Sequence, residues 1–150
     1  MAITVPRPRL ITAVEHAAGI NVAIATADGN TLTELLRILV PSEPGWVVLE
    51  AEAIVQAATA GQQASALVAI APVGGQALNA IAFRPLLTFG AASGANAEVY
   101  GRHAPPMRAL LPPNRPGEYM LAATRTTGSN AANVGGTSLA PARLSASRAW

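Results

Sequence analysis

The sequence has no cysteine and no lysine, a single aspartate, and few aromatic side chains. Without cysteine there is neither a disulfide framework nor a thiolate metal site, and the sequence carries no mark of its redox compartment. Charged residues make up 12% of the chain, against about 25% in an average soluble protein, while 51% of residues are apolar, many of them alanine. So sparse a charge leaves a bland surface that invites association, and the simplest expectation is that copies of the chain or a partner cover much of it. The 4% aromatic content leaves little material for the exposed platform of a carbohydrate-binding module. A membrane-spanning stretch is also lacking: the uncharged run Ala53 to Phe83 is broken by Gln56, Gln62, Gln63, Pro72, Gly74, Gly75, Gln76 and Asn79. The opening MAITVPRPRL places its arginines after a short apolar start, with two prolines where a signal peptide needs a continuous apolar run. These features describe a soluble chain with no membrane partner.

All ten basic residues are arginine, which makes planar two-pronged contacts and tolerates interfaces better than lysine. A GC-rich coding bias toward Arg, Ala, Gly and Pro explains the same composition without any functional cause. The charge is lopsided. Residues 1–60 hold three arginines against six acids, and residues 61–150 seven against two. That asymmetry suits head-to-tail contacts between copies, or one face turned toward a polyanion. With a net charge of +2 and no lysine cluster, only weak, salt-sensitive DNA binding is expected, and no specific nucleic-acid partner.

The 150 residues suffice for a single core, and the chain reads as an extended N-terminal arm over 1–9 followed by one domain over 10–150. Pro6 and Pro8 bias the arm toward extended geometry. The stretch Trp46 to Pro72 organises the rest. From Val47 to Ala57 the odd positions are all apolar while Glu50, Glu52 and Gln56 occupy even ones, the period of a strand with one buried face. Ser65 to Ala71 supplies a second strand ended by Pro72, and the two are expected to pair as an antiparallel hairpin about Thr-Ala-Gly-Gln-Gln.

Upstream, Leu10 to Glu15 and Ile20 to Thr26 read as strands with Ala17-Ala18-Gly19 as the turn between them, and Asp28-Gly29-Asn30 is a strong turn signal. Thr31 to Val40 predicts a short helix: Thr31 and Glu34 form a capping box, Leu32, Leu35, Leu36 and Leu39 recur at helical spacing, and Pro41 stops it. A buried strand is the competing reading of the same residues. Downstream, Ala77 to Phe89 reads as a strand pair interrupted by Arg84-Pro85, and GAASGAN (90–96) as a turn. A short strand starts at Glu98-Val99-Tyr100, and a Pro-rich turn covers 112–117. Glu118 to Thr126 is a strand with Tyr119, Leu121 and Ala123 on one face and Met120, Ala122 and Thr124 on the other; 128–136 reads as a loop tip; Leu144 and Ala146 alternate along a closing strand. Many short strands between Gly, Pro and Asn turns predict an all-β protein, a jelly-roll-like antiparallel β-sandwich of about eight strands with one short helix near 31–40.

The search for chemistry yields little. His16 and His103 have no second ligand at metal-site spacing, so a solvent-facing or hydrogen-bonded histidine is the plainer reading. Asp28 sits in a turn and gives a Ser-His-Asp triad no acid. Glu50 and Glu52 share a strand face, as glycosidase carboxylates would, and equally as a solvated face would. The Gly-rich pieces lack a phosphate loop's lysine. Arg102, Arg108 and Arg115 near Tyr100 and Met107 form a weak nucleic-acid patch or an ordinary interface. No catalytic, cofactor-binding or metal-binding residue is assigned, and no enzyme activity is expected.

The run NTLTELLRILVPSEPGWVVLEAEAIVQAATA, followed by SALVAIAP and closed by LAPARLSASRAW, resembles the small β-sandwich proteins of tailed-phage virions. The resemblance covers about two thirds of the chain, and it rests on texture and transfers no functional residue. It implies a non-enzymatic capsid decoration, spike or fibre-base protein, trimeric, docked on a major capsid or other virion protein and assembled in the host cytoplasm. The interface residues expected from the chain ends are Ile3, Val5, Arg7, Arg9, Arg143, Arg148 and Trp150. A carbohydrate-binding or adhesin-like sandwich is the alternative.

Overall fold

A computed structural model describes residues 9–59, 61–89, 102–103 and 106–149. Residues 1–8 of the arm expected over 1–9, the expected 90–96 turn, the strand start at 98–100 and Trp150 lie outside the described residues, and Arg9 opens the first strand. Twelve strands are described: β1 (Arg9–His16), β2 (Gly19–Ala23), β3 (Thr33–Val40), β4 (Val47–Glu52), β5 (Ile54–Ala57), β6 (Gln63–Pro72), β7 (Ala82–Phe89), β8 (Arg102–His103), β9 (Met107–Leu111), β10 (Gly117–Arg125), β11 (Ala132–Gly136) and β12 (Ala142–Arg148). One 3₁₀ turn, Ala77–Asn79, precedes β7.

The hydrogen-bonded ladders run β1-β12-β4-β9, β2-β11-β5-β8 and β3-β10-β6-β7, all antiparallel. The first two repeat one order: β1 runs on into β2 through Ala17-Ala18, β4 into β5 through Ala53, and β11 is followed by β12 after an excursion over 137–141, with β8 and β9 at the corresponding edge, so each successive pair is taken as one strand. Counted that way, eight strands form two four-stranded sheets, ordered 1-8-3-6 and 2-7-4-5. Strand 1 pairs with 8, 2 with 7, 3 with 6 and 4 with 5, so the chain is one long hairpin rolled around a core. That is the jelly roll the turn spacing predicted.

Glycine makes the bends possible. A Cβ on Gly136 would collide with the main chain of Ala142 and His16, and one on Gly135 with Gly19 and Ile20. The corner between β1 and β2 is closed by the His16 imidazole, whose Nε2 lies 3.0 Å from the Gly19 carbonyl oxygen. Ala17-Ala18 is therefore a kink in one strand and not the turn of a hairpin, since β1 and β2 both pair with the returning strand β12/β11.

The core fills the space between the sheets: Leu49, Val55, Val134 and Leu144 from the bent sheet meet Val68, Ile70 and Leu121 from the straight one, all fully buried. The expected central hairpin is corrected here. β4/β5 pairs with β12/β11 and β9/β8, while β6 pairs with β10 and β7, so the two central strands face each other across the core in opposite sheets. Each buries its apolar face against the other, and one-sided alternation cannot distinguish a partner beside a strand from a partner in front of it.

The predicted helix over 31–40 is also corrected, because Thr33–Val40 is the edge strand β3. The register against β10 slips between Glu34 and Leu36, a bulge at Leu35. An extra residue shifts the alternation by one, so Leu35 and Leu36 both pack toward the core and the leucines fall at helix-like spacing. The expected strand pair over 77–89 is a 3₁₀ turn and one strand, β7, which tolerates Pro85 because it lies at a sheet edge. The loop tip expected over 128–136 is strand β11 from Ala132 on, with Ala132 and Val134 buried. The two-faced reading of 118–126 holds: Leu121 and Ala123 join the main core, and Met120 and Ala122 a second cluster with Ala71 on the opposite face.

Candidate functional site

Two surfaces present more than ordinary solvated strand, and each is an outer face of one sheet. On the bent sheet, register places Glu15, Arg143 and Glu52 in one row, and Ala13, Ser145, Glu50 and Arg108 in the next. Arg108 Nε donates to Glu50 Oε2 at 2.6 Å, and Arg143 Nε lies 3.9 Å from Glu15 Oε1. Glu50 and Glu52 are thus members of a cross-strand charge ladder, the solvated-face reading of the pair. Arg108, one of three arginines of the possible nucleic-acid patch, spends its charge on Glu50; the side chain of Arg102 is outside the described set. The third row is apolar: Leu10, Ser147, Val48 and Leu110 cross all four strands, with Trp46 beside Val48. Leu10 is 55% exposed, Leu110 58% and Trp46 40%.

This apolar row lies at the start of β1 and the end of β12. Arg9 stands opposite Arg148 in the ladder, and the Ala149 N–H donates to the Trp46 carbonyl at 2.9 Å. Arg148 Nε donates at 2.6 Å to Glu43 Oε2, whose side chain is nearly buried, and that hydrogen bond foremost holds the guanidinium pKa above its ordinary value. The Glu43 carbonyl also accepts from the Asn114 N–H at 2.8 Å, so Glu43 ties the β3–β4 and β9–β10 loops to the end of β12. Of the interface residues expected from sequence, the structure gathers Arg9 and Arg148 at one end and puts Arg143 at the other end of the same strand. Ile3, Val5, Arg7 and Trp150 are not among the described residues.

On the straight sheet, β3, β10, β6 and β7 place Glu34, Ala122, Ala69 and Phe83 in one row. Ala69, Ala71 and Ala122 are fully buried although they point away from the core, while Phe83 at the rim is 54% exposed. At the β3 side the row opens into a cavity of about 420 Å³ lined by Leu32, Val73 and Met120 below and by Thr31, Glu34, Arg37 and Gln76 around the rim. Two loops roof its end, joined by the Ala77 N–H donating to the Asn30 carbonyl at 2.8 Å. Arg37 grips Glu34 with two prongs, Nε to Oε1 at 2.9 Å and Nη2 to Oε2 at 2.8 Å, and Nη1 lies 3.9 Å from Glu118. The Glu34 hydrogen bond is the main reason the Arg37 pKa is raised. Next to the rim, Asp28 accepts from the N–H groups of Asn30 and Thr31, both at 2.8 Å, and from the Thr31 hydroxyl, which together hold its carboxyl down at about 2.

Sequence reasoning missed this cavity because Thr31 and Glu34 had been read as a capping box. In the structure Thr31 serves Asp28 and Glu34 serves Arg37. The Glu34/Arg37 spacing with an intervening bulge was the available signal. Among the described residues, no group of His, Asp and Glu could hold a metal ion, and no helix is long and apolar enough to cross a membrane.

No family model matches the chain, and no curated protein matches it in sequence. Among solved structures it is similar to the infectious bursal disease virus VP2 subviral particle, at 14% identity and a TM-score of 0.37, over 95% of this chain. The chain spans about 37% of the length of that one.

Proposed function

We propose that this chain is a non-enzymatic structural subunit of a virus particle, of the phage decoration or spike-base kind, which works by self-association and docking on a shell. The observation that carries the reading is the apolar row Leu10, Val48 and Leu110 with Trp46, exposed at Leu10, Leu110 and Trp46 and laid across the bent sheet beside the start of β1 and the end of β12. Such an apolar strip, interrupted by Ser147 and rimmed by the ion pairs of Glu50 and Arg148, has the make-up of an interface core with a polar rim. A closed ring of copies, most simply a trimer, removes the strip from water. Residues 1–8 then act as an arm lying across the neighbour, Ile3 and Val5 in its grooves and Arg7 on its carboxylates, with the Arg9 side chain reaching the neighbour from the first position of β1 and Trp150 docking at the other end. Assembly in a host cytoplasm and a major capsid protein as the docking partner belong to the same reading.

Light scattering of the full chain at micromolar concentration tests it. A closed oligomer that the double variant Leu10→Glu/Leu110→Glu dissociates supports the reading, and a stable monomer refutes it. Deleting residues 1–9 separates the arm from the strip: the truncated chain keeps its melting temperature and assembles more weakly. Unfolding of the truncated chain makes the arm part of its own core, and unchanged assembly leaves the arm without a partner.

A further inference from the structure

We infer that Asp28-Gly29 is a latent modification site, a dipeptide that cyclises to a succinimide and reopens as isoaspartate once the hydrogen bonds holding its turn are released. The inference rests on local chemistry and is independent of the assembly reading.

The turn lies where the chain crosses from β2 in the bent sheet to β3 in the straight one, and its geometry dictates both residues. Position 29 has a φ of 71°, in the left-handed region that glycine enters without strain. Position 28 needs a short acceptor for the N–H groups two and three residues on, and Asp28 Oδ1 takes both, from Asn30 and Thr31, at 2.8 Å. Aspartate followed by glycine is also the pair in which a backbone nitrogen reaches the side-chain carboxyl most easily, because glycine has no Cβ in the way. The chain has no other aspartate, and no Asn-Gly or Asn-Ser pair, so this is its one dipeptide of the kind.

In the reaction the Gly29 nitrogen bonds to Asp28 Cγ, its proton and the carboxyl OH leave together as water, and a five-membered imide closes. Water then opens the ring. Where it breaks the bond between the main-chain carbonyl carbon and the nitrogen, the chain continues through the former side chain, one carbon longer and with the mass of the original aspartate. Hydrogen bonds oppose the first step on both sides. The Gly29 N–H donates to the Arg125 carbonyl at 2.9 Å, which holds the nucleophile against the end of β10. The carboxylate is pinned in the turn by the Asn30 and Thr31 N–H groups and the Thr31 hydroxyl. Chiefly through that hydroxyl its pKa is held at about 2, which depletes the acid form that gives up its OH. The Thr127 hydroxyl donates to the Asp28 carbonyl at 3.3 Å. Burial adds no protection, since Asp28 and Gly29 are both exposed. Arg125 extends the lock: its Nε donates to the Ile24 carbonyl at 3.1 Å and its Nη1 to the Ser129 carbonyl at 3.2 Å, lacing this crossing to the one that returns from β10 to β11. An added main-chain carbon inside the turn would break the register of these bonds.

Ageing the full chain at neutral pH tests this, with isoaspartate located by mass spectrometry of its peptides and counted by isoaspartyl methyltransferase labelling. The folded chain should accumulate it at least about tenfold more slowly than the same chain held in guanidinium chloride, because reaction waits on local opening of the turn. Thr31→Ala removes the hydroxyl, leaves both N–H groups and should raise the folded rate several-fold. Thr31→Ser restores the hydroxyl and should return the rate to that of the wild type. Melting curves confirm that each variant is folded. Hydrogen exchange supplies a reading that needs no variant, since the Gly29 N–H should be protected although it lies in an exposed turn. The inference is overturned if the folded chain ages as fast as the denatured one, if the denatured chain forms no isoaspartate at position 28, or if Thr31→Ala ages at the wild-type rate. Exchange of the Gly29 N–H at the rate of an unstructured chain would overturn it equally.

Discussion

The two sheets of this jelly roll share one core and have opposite exteriors. The bent sheet shows water a ladder of ion pairs, Glu15–Arg143 and Glu50–Arg108, that gives way at one end to the apolar row of Leu10, Val48 and Leu110. The straight sheet shows a floor of alanines that are fully buried even on its outer side, bounded by Phe83 and by the Glu34–Arg37 clamp. The corner where β1/β2 meets β11/β12 needs glycine, whereas β4 passes into β5 through Ala53, and the outer face of the bent sheet is left to long side chains that reach one another. On the straight sheet the outward alanines lie under larger neighbours, Leu32 and Val73 packing against Ala71, Met120 and Ala122, so this face carries a second packed cluster. A chain with so few charges therefore divides its surface by sheet: one exterior leaves an apolar row facing water, and the other packs alanines beneath larger side chains.

The largest expected effect tests the corners. Gly136→Ala pushes a methyl into the main chain of Ala142 and His16, and backbone cannot step aside as a side-chain tip can. We expect a loss of about 4 kcal/mol or more, at the far end of the range for single substitutions, read by chemical denaturation. Gly128→Ala is the control: Gly128 has a φ of 73° but open space around it, so only backbone strain of about 1 kcal/mol should appear. Equal costs at both positions would mean that the bends do not depend on close approach.

A second pair compares the exteriors directly. Ala122→Leu enlarges a side chain that is fully buried on the outer face of the straight sheet, and should cost about 1–3 kcal/mol by overpacking. Ser147→Leu, in the apolar row of the bent sheet, should change the stability of the isolated subunit by less than about 0.5 kcal/mol. If Ala122→Leu is as harmless as Ser147→Leu, the floor is not packed.

The two-faced reading of β10 was legible because its alternation is strict: Leu121 and Ala123 on one side, Met120, Ala122 and Thr124 on the other. So were the Asp28-Gly29-Asn30 turn and the roll of about eight strands. What escaped was anything decided between strands. Alternation along Val47 to Ala57 and Ser65 to Ala71 marks two strands with one buried face each, and only the pairing of the whole roll decides that they stand in opposite sheets. The bulge at Leu35 disguised an edge strand as a helix. Of the candidate site residues, Arg9 and Arg148 lie opposite each other in the β1–β12 ladder, while the cavity was hidden because its lining comes from β3, β10 and the loop after β6, which meet only through register.

A pH titration probes the loop beside the Glu34/Arg37 cavity. The Asp28 carboxyl, ordinarily at 3.8, is held at about 2, chiefly by the Thr31 side-chain hydrogen bond. A depressed pKa means that this stabilisation is fully present above about pH 4 and is lost as pH falls toward 2. Asp28→Asn should therefore weaken the wild-type dependence of the melting temperature between those values. An unchanged acid limb in the variant would show that Asp28 does not hold the turn.

The smallest effect concerns Thr26, whose hydroxyl is buried with no hydrogen-bond partner among the described residues. Replacing an unpaired buried hydroxyl by a methyl costs nothing and relieves desolvation, so Thr26→Val should hold or slightly raise the melting temperature. A clear drop would reveal a partner for the hydroxyl.

The division of labour between the two exteriors is tested most directly by hydroxyl-radical footprinting of the full chain across a dilution series that takes the assembly apart. The account predicts that Leu10, Trp46 and Leu110 are shielded in the assembled state and become reactive on dilution, while Phe83 and Leu39 react equally in both. Shielding of Phe83 with Leu110 reactive throughout, or no change at any of these residues, would contradict it.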